Sequence, residues 1–333
     1  MVKNNRSKKG RLSCIMEAII DKYGRQFETL RVSLTKVCNL GCVYCVNDDA
    51  EANKTIKKEN NISAFNLLQI VANLHKQLAL KTIRLTGGEP LLYKDLLYFT
   101  EGIKQLGIPK IKLTTNGYLL EEKSKLLKES GVTDINISLD TVNDEIFFKI
   151  SRRKNLQKII NGIDMAISVG LKVKLNAVIM KGINDSEIIP LLDFAKKRNI
   201  SIRFLEIMNM GHLNAIENPY FFSENDILSI ISEKYNFKKI DRISSSTSNY
   251  WKTDDGYEFG IIANESSPFC EDCNRLRLDS NGNIFGCLSS NSPIKINLND
   301  NDFLLNQKLK LALAQKQDFK FKGSEISMLE IGG

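Results

Sequence analysis

Histidine, tryptophan and proline are scarce in this chain, whose 333 residues include two histidines, one tryptophan and six prolines. Neither His75 nor His212 lies at zinc-ligand spacing from the cysteines, which disfavours the mixed Cys/His sites of zinc fingers. No apolar run reaches membrane-spanning length and no signal peptide is recognisable. We therefore expect a cytoplasmic protein with reduced thiols and without a membrane partner.

The charge balance is basic, with 47 Lys and Arg against 39 Asp and Glu and a net charge of +8. Such an excess fits a polyanionic partner, either a nucleic acid or a phosphorylated small molecule. Five of the positive charges lie between residues 3 and 11, and we expect residues 1–15 to form a basic, disordered tail. No basic stripe interleaved with aromatic residues is present, so we expect no nucleic-acid partner.

The cysteines are grouped. Six of the seven form two triads, Cys38, Cys42 and Cys45 and then Cys270, Cys273 and Cys287. A closed zinc site and a fully protein-ligated iron–sulfur cluster each take four ligands, and disulfides would leave an odd thiol in each triad. The triads therefore predict two metal clusters, each with an open position for a ligand that the protein does not supply. Cys14, at the edge of the basic tail, is expected to have no metal role.

Short segments rich in β-branched residues alternate with helical patterns, which is typical of βα units and a parallel sheet. Strands are predicted at residues 29–35, 82–85, 110–113, 134–139, 172–180 and 201–208. Ser63 is predicted to cap a helix that runs to about residue 78, and Ser186 a helix that contains Pro190. These units fit an α/β fold, either an incomplete (β/α)6 TIM-like barrel or a doubly wound sheet. The pattern alone leaves both open, and we adopt the barrel because the family resemblance described below implies it.

After residue 220 the pattern changes to one helix and two hairpins. The hairpins are predicted at residues 250–253 with 257–262 and at residues 276–279 with 284–288, around Gly- and Asn-containing turns. We therefore predict a barrel at residues 16–220. We assign residues 221–333 to a C-terminal α+β hairpin region that closes the barrel mouth, binds the second cluster and ends in Gly332-Gly333.

Polar groups follow the first four predicted strands, where parallel folds bind ligands. The first strand leads to Cys38-x-x-x-Cys42-x-x-Cys45, and the second ends in Gly87-Gly88-Glu89-Pro90. Each ending alone could be a plain turn or a helix cap, but four in succession indicate a site.

This arrangement resembles the signature of the radical S-adenosylmethionine (SAM) enzymes. The resemblance implies a [4Fe–4S] cluster on the first triad whose open iron binds SAM, which is cleaved to give a 5′-deoxyadenosyl radical. It implies that these residues contact SAM: Tyr44, Gly88, Glu89, Ser138 and Met208.

A finer resemblance runs from about residue 19 to the C-terminus. The arginines at 31 and 84, the motif Cys270-x-x-Cys273-Asn-Arg-x-Arg and the final Gly-Gly are similar to the GTP 3′,8-cyclases of molybdenum-cofactor biosynthesis. The resemblance implies conversion of GTP to (8S)-3′,8-cyclo-7,8-dihydroguanosine 5′-triphosphate, with guanine on the second cluster. Two pairs beside the first triad, Lys36-Val37 and Val46-Asn47, depart from the Asp-Arg and Met-Pro common in the family, but they are not ligands.

The resemblance also implies the residues that meet the substrate. GTP is expected at Arg31, Arg84, Thr115, Lys174, Arg203, Arg275, Leu276 and Arg277, with Arg31 and the Gly332-Gly333 tail as catalytic candidates. A lone arginine or lysine is commonly a solvated surface charge. However, Arg31, Arg84, Lys174 and Arg203 fall within strand patterns, where an unpaired buried charge is unfavourable, and arginine binds phosphate oxygens in a bidentate manner.

The family resemblance further implies a one-electron donor such as flavodoxin or ferredoxin and hand-off to cyclic pyranopterin monophosphate synthase, and it allows a homodimer. Two alternatives are less consistent with the sequence. A radical SAM peptide-modifying enzyme with an auxiliary cluster usually carries more C-terminal cysteines. A non-catalytic, basic nucleic-acid-binding metalloprotein would leave the Gly-Gly-Glu-Pro segment and both three-cysteine sites unexplained.

Overall fold

The computed structural model describes residues 19–48, 61–214, 218–317 and 319–332. The predicted basic tail at residues 1–15, Cys14 and Gly333 lie outside the described residues. Within the described ranges, no helix is both long enough and apolar enough to cross a bilayer.

Six parallel strands form the centre of the sheet, and each pairs with the next in chain order. They are β1 (Thr29–Ser33), β2 (Thr82–Thr86), β3 (Lys110–Thr115), β4 (Asp134–Ser138), β5 (Lys172–Ile179) and β6 (Ser201–Glu206). All six predicted strands are present, with ends within two residues of the prediction. The predicted α/β fold with a parallel sheet is confirmed.

Helices connect and flank these strands. They are α1 (Ala64–Leu78), α2 (Leu96–Gln105), α3 (Leu120–Glu129), α4 (Asp144–Ser151), α5 (Leu156–Ser168), α6 (Ile188–Lys197), α7 (Glu224–Ser232), α8 (Asp302–Ala314) and α9 (Met328–Ile331). Ser63 caps α1 as predicted, since its hydroxyl accepts a hydrogen bond from the Asn66 N–H. The prediction that Ser186 caps α6 is wrong. Ser186 lies inside a 3₁₀ turn, Asp185–Glu187, and the residue that precedes α6 is Glu187.

The C-terminal region extends the sheet at both edges. Its strands are β7 (Phe237–Ile240), β8 (Asn249–Thr253), β9 (Glu258–Ile262), β10 (Arg275–Leu278), β11 (Asn283–Phe285) and β12 (Ile294–Lys295). Both predicted hairpins, β8–β9 and β10–β11, are present. In addition, β9 pairs in parallel with β6, and β10 pairs in parallel with β1. The hairpins therefore add strands to the barrel wall, and this pairing was not predicted from the sequence. The sheet is continuous across the predicted boundary at residue 220.

Alternation along the strands separates an apolar face from a polar one. Leu30 and Val32 of β1 and Ile83 and Leu85 of β2 are fully buried in the main core. The residues between them, such as Arg31, line an internal cavity. The apolar face holds the fold together, and the other face is left free to carry charged groups.

The pairing of β9 with β6 predicts that the C-terminal hairpin and the barrel unfold together. Trp251, the single tryptophan, stacks on Phe259 with ring centroids 5.9 Å apart, and Phe259 is fully buried. We expect Phe259→Leu to lower the free energy of unfolding by about 1–2 kcal/mol. In urea denaturation, Trp251 fluorescence and far-UV circular dichroism should show the same midpoint.

Phe303→Leu is the matched control, because Phe303 is 73% exposed and its replacement should change stability by about 0.5 kcal/mol or less. Separate midpoints for the two probes would contradict the continuous sheet and favour an independent C-terminal domain.

Candidate active site

One cavity of about 560 Å³ lies on the polar face of the sheet. Both cysteine triads line it. The cysteines are free of disulfide bonds, and each is partly exposed. The two three-thiol loops that the sequence singles out therefore open onto a common space.

The strand register places the triads at opposite ends of this space. Strands β1 and β10 run parallel, with Thr29 opposite Arg275 and Arg31 opposite Arg277. The first triad follows the carboxyl end of β1, whereas Cys273 precedes the amino end of β10. The two loops thus face each other along the same pair of strands.

The Gly-Gly-Glu segment packs against the chain that leads into the first triad. The N–H of Gly88 donates to the carbonyl of Thr35 at 2.6 Å, and the N–H of Glu89 donates to that of Val37 at 2.7 Å. A Cβ atom on Gly88 would lie 2.4 Å from the Val37 carbonyl oxygen. The glycine is therefore required for close approach of the protein's own backbone, which fixes the start of the cysteine loop.

The Glu89 carboxylate ties the ends of β2 and β3 together. Glu89 accepts hydrogen bonds from the Leu91 N–H at 2.9 Å, the Thr115 hydroxyl at 2.7 Å and the Asn116 N–H at 2.7 Å. Burial raises the pKa of Glu89 to about 7, and these hydrogen bonds oppose that shift. Thr115 lines the cavity, while the Glu89 side chain lies behind it.

Arg152 holds the other side of the first cysteine loop. One of its terminal nitrogens, Nη1, donates to the carbonyls of Gly41 at 2.9 Å and Val46 at 3.2 Å, and Nη2 donates to that of Asn47 at 2.9 Å. The sequence did not predict this contact, because an arginine after a helix carries no signal of its long-range partner.

Tyr44 and Asp140 join the first loop to the end of β4. The Tyr44 hydroxyl donates to Asp140 Oδ2 at 2.7 Å, and Asp140 Oδ1 accepts from the Val178 N–H at 2.8 Å. Burial raises the pKa of Asp140 to about 6. Ser138 and Met208, both predicted SAM contacts, line the same end of the cavity.

The second cysteine loop is held by an arginine from outside the motif. Arg25 Nη1 donates to the carbonyls of Cys270 at 2.7 Å and Glu271 at 3.3 Å. The guanidinium is itself fixed by Asp21, whose Oδ2 lies 2.7 Å from Nε. The segment before β1 therefore positions a loop that lies more than 240 residues further along the chain.

The two triads differ in their electrostatic surroundings. Burial and the charge of Glu89 raise the pKa of Cys38 to about 11, and burial also raises the pKa of Cys45. In the second loop, burial acts in the same direction on Cys273, but the charges of Lys316 and Arg275 prevail and lower its pKa to about 6. Burial also raises the pKa of Cys270, in the second loop, to about 11. Metal binding must therefore displace protons at Cys38, Cys45 and Cys270, whereas Cys273 is already disposed to be a thiolate.

The donor set fits a cluster better than a single ion. Within residues 19–48, 61–214, 218–317 and 319–332, no three His, Cys, Asp or Glu side chains converge closely enough to hold one metal ion. An iron–sulfur cluster does not need such convergence, because it takes its cysteine ligands on separate irons. Three free thiols beside an open cavity at each loop agree with that requirement.

Between the loops lies a row of cations, which we call the cationic row: Arg277, Arg31, Arg84 and Lys112. These residues are neighbours across β10, β1, β2 and β3 in the sheet register, and all line the cavity. Burial, together with the charges of Arg277 and Arg84, lowers the pKa of Arg31 well below its ordinary value. Lys112 has an ion pair with Asp134 at 3.4 Å.

Several nitrogen atoms around the cationic row are buried without a hydrogen-bond partner among the described residues. They are Nε of Arg31 and both Nε and Nη2 of Arg203. Buried donors are normally paired, and arginine pairs most strongly with carboxylate or phosphate oxygens. The arrangement therefore suits a polyanionic ligand within the cavity.

Not every predicted substrate contact lines the cavity. Leu276 is fully buried in the main core, so only its backbone lies between the two arginines of β10. Lys174 is on the cavity side of β5, but its Nζ lies over the Tyr250 ring, 5.8 Å from the centroid. The carbonyl of Gly332 accepts a hydrogen bond from Arg277, and Gly333 lies outside the described residues.

Residues 32–195 match the family described as Radical SAM superfamily, and residues 200–321 match Molybdenum Cofactor Synthesis C. The chain is 40% identical over 279 residues to a GTP 3′,8-cyclase of Campylobacter lari, covering 84% of this chain and 85% of that protein. It is 39% identical over 280 residues to the Synechocystis sp. GTP 3′,8-cyclase, covering 84% of each. The chain belongs to the GTP 3′,8-cyclase family.

Solved structures share the fold of this GTP 3′,8-cyclase family member at low identity. Streptococcus suis SuiB bound to precursor peptide SuiA has a TM-score of 0.63 and 20% identity, over 84% of this chain and 64% of SuiB. Native anSMEcpe with bound AdoMet has a TM-score of 0.60 and 14% identity, over 86% of this chain and 83% of that one. At these identities the likeness concerns the fold.

The loop contacts predict that each cluster site can be disrupted separately. A Cβ on Gly88 would lie 2.4 Å from a backbone oxygen before the first triad, and one on Gly286, beside Cys287, would lie 1.7 Å from the Ala312 carbonyl oxygen. After anaerobic reconstitution we expect Gly88→Ala to lose the first cluster and Gly286→Ala the second. Each variant should therefore retain about four of about eight irons.

Each variant is the control for the other, and iron analysis with electron paramagnetic resonance (EPR) spectra distinguishes the two sites. Loss of both clusters in either variant, or of neither, would contradict the independence of the two loops.

Proposed function

We propose that the protein converts GTP into (8S)-3′,8-cyclo-7,8-dihydroguanosine 5′-triphosphate, the first step of molybdenum-cofactor biosynthesis. The observation that carries this proposal is the cationic row between two three-thiol loops in one cavity. Membership of the GTP 3′,8-cyclase family supplies the reaction. The reaction breaks the C3′–H bond, whose hydrogen leaves in 5′-deoxyadenosine, and forms a C3′–C8 bond. One electron from the external donor and one proton are added at N7, so that the product has the composition of GTP.

The cofactors are SAM and [4Fe–4S] clusters, which when bound supply the one-electron chemistry that removes the ribose 3′ hydrogen. We assign Cys38, Cys42 and Cys45 to the cluster that takes SAM. Cys270, Cys273 and Cys287 are assigned to the cluster that takes guanine. The facing positions of the loops support this division, because it places the ribose between them.

Contacts to SAM are assigned to residues near the first triad. Gly88, Tyr44, Ser138 and Met208 line the cavity there, which supports a direct role for each. For Glu89 we propose an indirect role, since its carboxylate is occupied by donors from the ends of β2 and β3. Glu89 would hold the Gly-Gly turn in the shape that SAM meets.

The triphosphate is assigned to the cationic row together with Arg203, whose guanidinium has unpaired buried nitrogens among the described residues. Arg275, Thr115, Lys174 and the backbone of Leu276 complete the proposed substrate contacts. Arg31 lies between Arg277 and Arg84 in the register, which supports its role as a catalytic candidate. These residues would hold the ribose next to the group generated from SAM and would exclude water from it.

The C-terminal tail is proposed to complete the site. Gly332 has φ of +79°, and its carbonyl accepts a hydrogen bond from Arg277 of the cationic row. A Cβ on Gly332 would lie 2.8 Å from Thr86 Cγ2, so a larger residue would not fit. We therefore assign Gly332 and Gly333 to the catalytic apparatus.

The remaining partners rest on the family alone. We propose a one-electron donor such as flavodoxin or ferredoxin, hand-off of the product to cyclic pyranopterin monophosphate synthase, and a homodimer. A cytoplasmic location agrees with six free cysteines among the described residues, since cytosolic thiols stay reduced.

The function is tested by an anaerobic assay with reconstituted protein, SAM, a reductant and GTP. We expect about eight irons per chain, 5′-deoxyadenosine and a nucleotide isomer of GTP that carries the new carbon–carbon bond. SAM cleavage without a GTP-derived product would favour a peptide-modifying enzyme. Absence of SAM cleavage in iron-replete protein would contradict both enzymatic functions.

Arg84→Ala tests the cationic row within this assay. Loss of a charge-assisted contact should weaken GTP binding about 10- to 100-fold, while SAM cleavage without GTP is unchanged. Arg198→Ala is the control, because Arg198 pairs with Asp164 at 2.7 Å and does not line the cavity. Equal GTP affinity in both variants would contradict a phosphate role for the row.

A further inference from the structure

Lys316 is a buried lysine whose ammonium group meets a cluster ligand. It follows α8 and is only 7% exposed. Its Nζ lies 3.2 Å from the Sγ of Cys273 and donates to the Arg275 carbonyl at 2.9 Å. The Phe27 ring centroid lies 5.2 Å from the same nitrogen. The side chain is therefore directed at one sulfur by contacts from two other segments of the chain.

The Cys273 sulfur is the group that can balance the positive charge of Lys316. A buried ammonium group is unfavourable unless it is paired. In the part of the chain that the structure describes, the hydrogen bonds of Lys316 go to one sulfur and one carbonyl, and no carboxylate forms an ion pair with it. The positive charge is thus matched to the thiolate form of Cys273, the form that binds iron.

The first triad has the opposite surroundings. The Cys38 sulfur accepts from the Leu40 N–H at 3.5 Å and lies 3.9 Å from the Asn116 amide nitrogen, both uncharged donors. The carboxylate of Glu89 adds negative potential at Cys38, and that of Asp140 does so at Cys45. The sulfur atoms of Cys38 and Cys45 therefore have acidic neighbours, whereas the sulfur of Cys273 has a buried lysine beside it.

We propose that Lys316 is a positioning residue that tunes the second cluster: its hydrogen bond to Cys273 fixes this ligand and raises the reduction potential of the cluster. The inference rests on the proposed function, because it assumes a [4Fe–4S] cluster on Cys270, Cys273 and Cys287. Hydrogen bonds to cluster sulfurs stabilise the reduced, more negative state and so raise the potential.

The test is an EPR-monitored redox titration of anaerobically reconstituted holoenzyme. Lys316→Met removes the donor and its charge but keeps an unbranched chain of similar length. Lys316→Arg keeps both the donor and the charge. Lys310→Met is the matched control, because Lys310 is an exposed lysine of α8. A background with Cys38, Cys42 and Cys45 replaced by alanine identifies the signal of the second cluster.

We expect the midpoint potential of the second cluster to become more negative in Lys316→Met, to stay near the parent value in Lys316→Arg and to be unchanged in Lys310→Met. The potential of the first cluster should not move in any variant. An unchanged potential in Lys316→Met with a full iron content would overturn the inference, since a purely structural lysine would affect only stability.

If Lys316→Met loses the second cluster, its potential cannot be measured and Lys316→Arg decides the outcome. Retention of the cluster at the parent potential in Lys316→Arg would then support the inference, and loss in both variants would overturn it. Failure of the proposed function is distinct, because in that case the unsubstituted protein would lack the second cluster or would not form the cyclised nucleotide.

Discussion

Mutual repulsion within the cationic row is the constraint on which the site depends. Arg277, Arg31, Arg84 and Lys112 are brought side by side by the register of four parallel strands, and the burial that lowers their pKa values opposes their charged forms. Lys112 has Asp134 as its partner, but Nε of Arg31 has no hydrogen-bond partner among the described residues. Leaving a buried charge unpaired costs roughly 3–5 kcal/mol. The apolar opposite face of the same strands offsets this cost. A polyanion in the cavity would relieve the repulsion, so the unfavourable energy of the row would contribute to the affinity for such a ligand.

The same strands determine where chemistry can occur. Strand β1 leads to the first triad at its carboxyl end, and β10, its parallel neighbour, follows Cys273 at its amino end. A ligand that spans the row therefore meets one cysteine loop at each end. Arg152 and Arg25 hold the backbones of the two loops by their carbonyl groups, which leaves the thiols free. Because each loop has its own arginine, the two loops are held separately while they share one cavity.

Local signals in the sequence predicted much of this arrangement. The strand positions are predictable from segments rich in β-branched residues. The first cysteine triad and the Gly-Gly turn are local motifs that directly follow a strand, which places them at the carboxyl-end edge of the sheet. Pairing between distant segments was not predictable, because β10 beside β1 and β9 beside β6 depend on tertiary packing. For the same reason, the contacts of Lys316 and Arg152 with the cysteine loops could not be predicted from local patterns. The prediction that Ser186 caps α6 is wrong because Ser186 lies in a 3₁₀ turn that precedes the helix.

The central claim is that the cavity holds the ribose of GTP between the two cysteine loops, next to the group generated from SAM. The most direct test uses GTP with deuterium at the ribose 3′ carbon, under anaerobic turnover, with mass analysis of the 5′-deoxyadenosine formed. We expect deuterium in 5′-deoxyadenosine when GTP carries the label at the ribose 3′ carbon, and none when it carries the label at guanine C8. Unlabelled 5′-deoxyadenosine formed together with a cyclised nucleotide would contradict it.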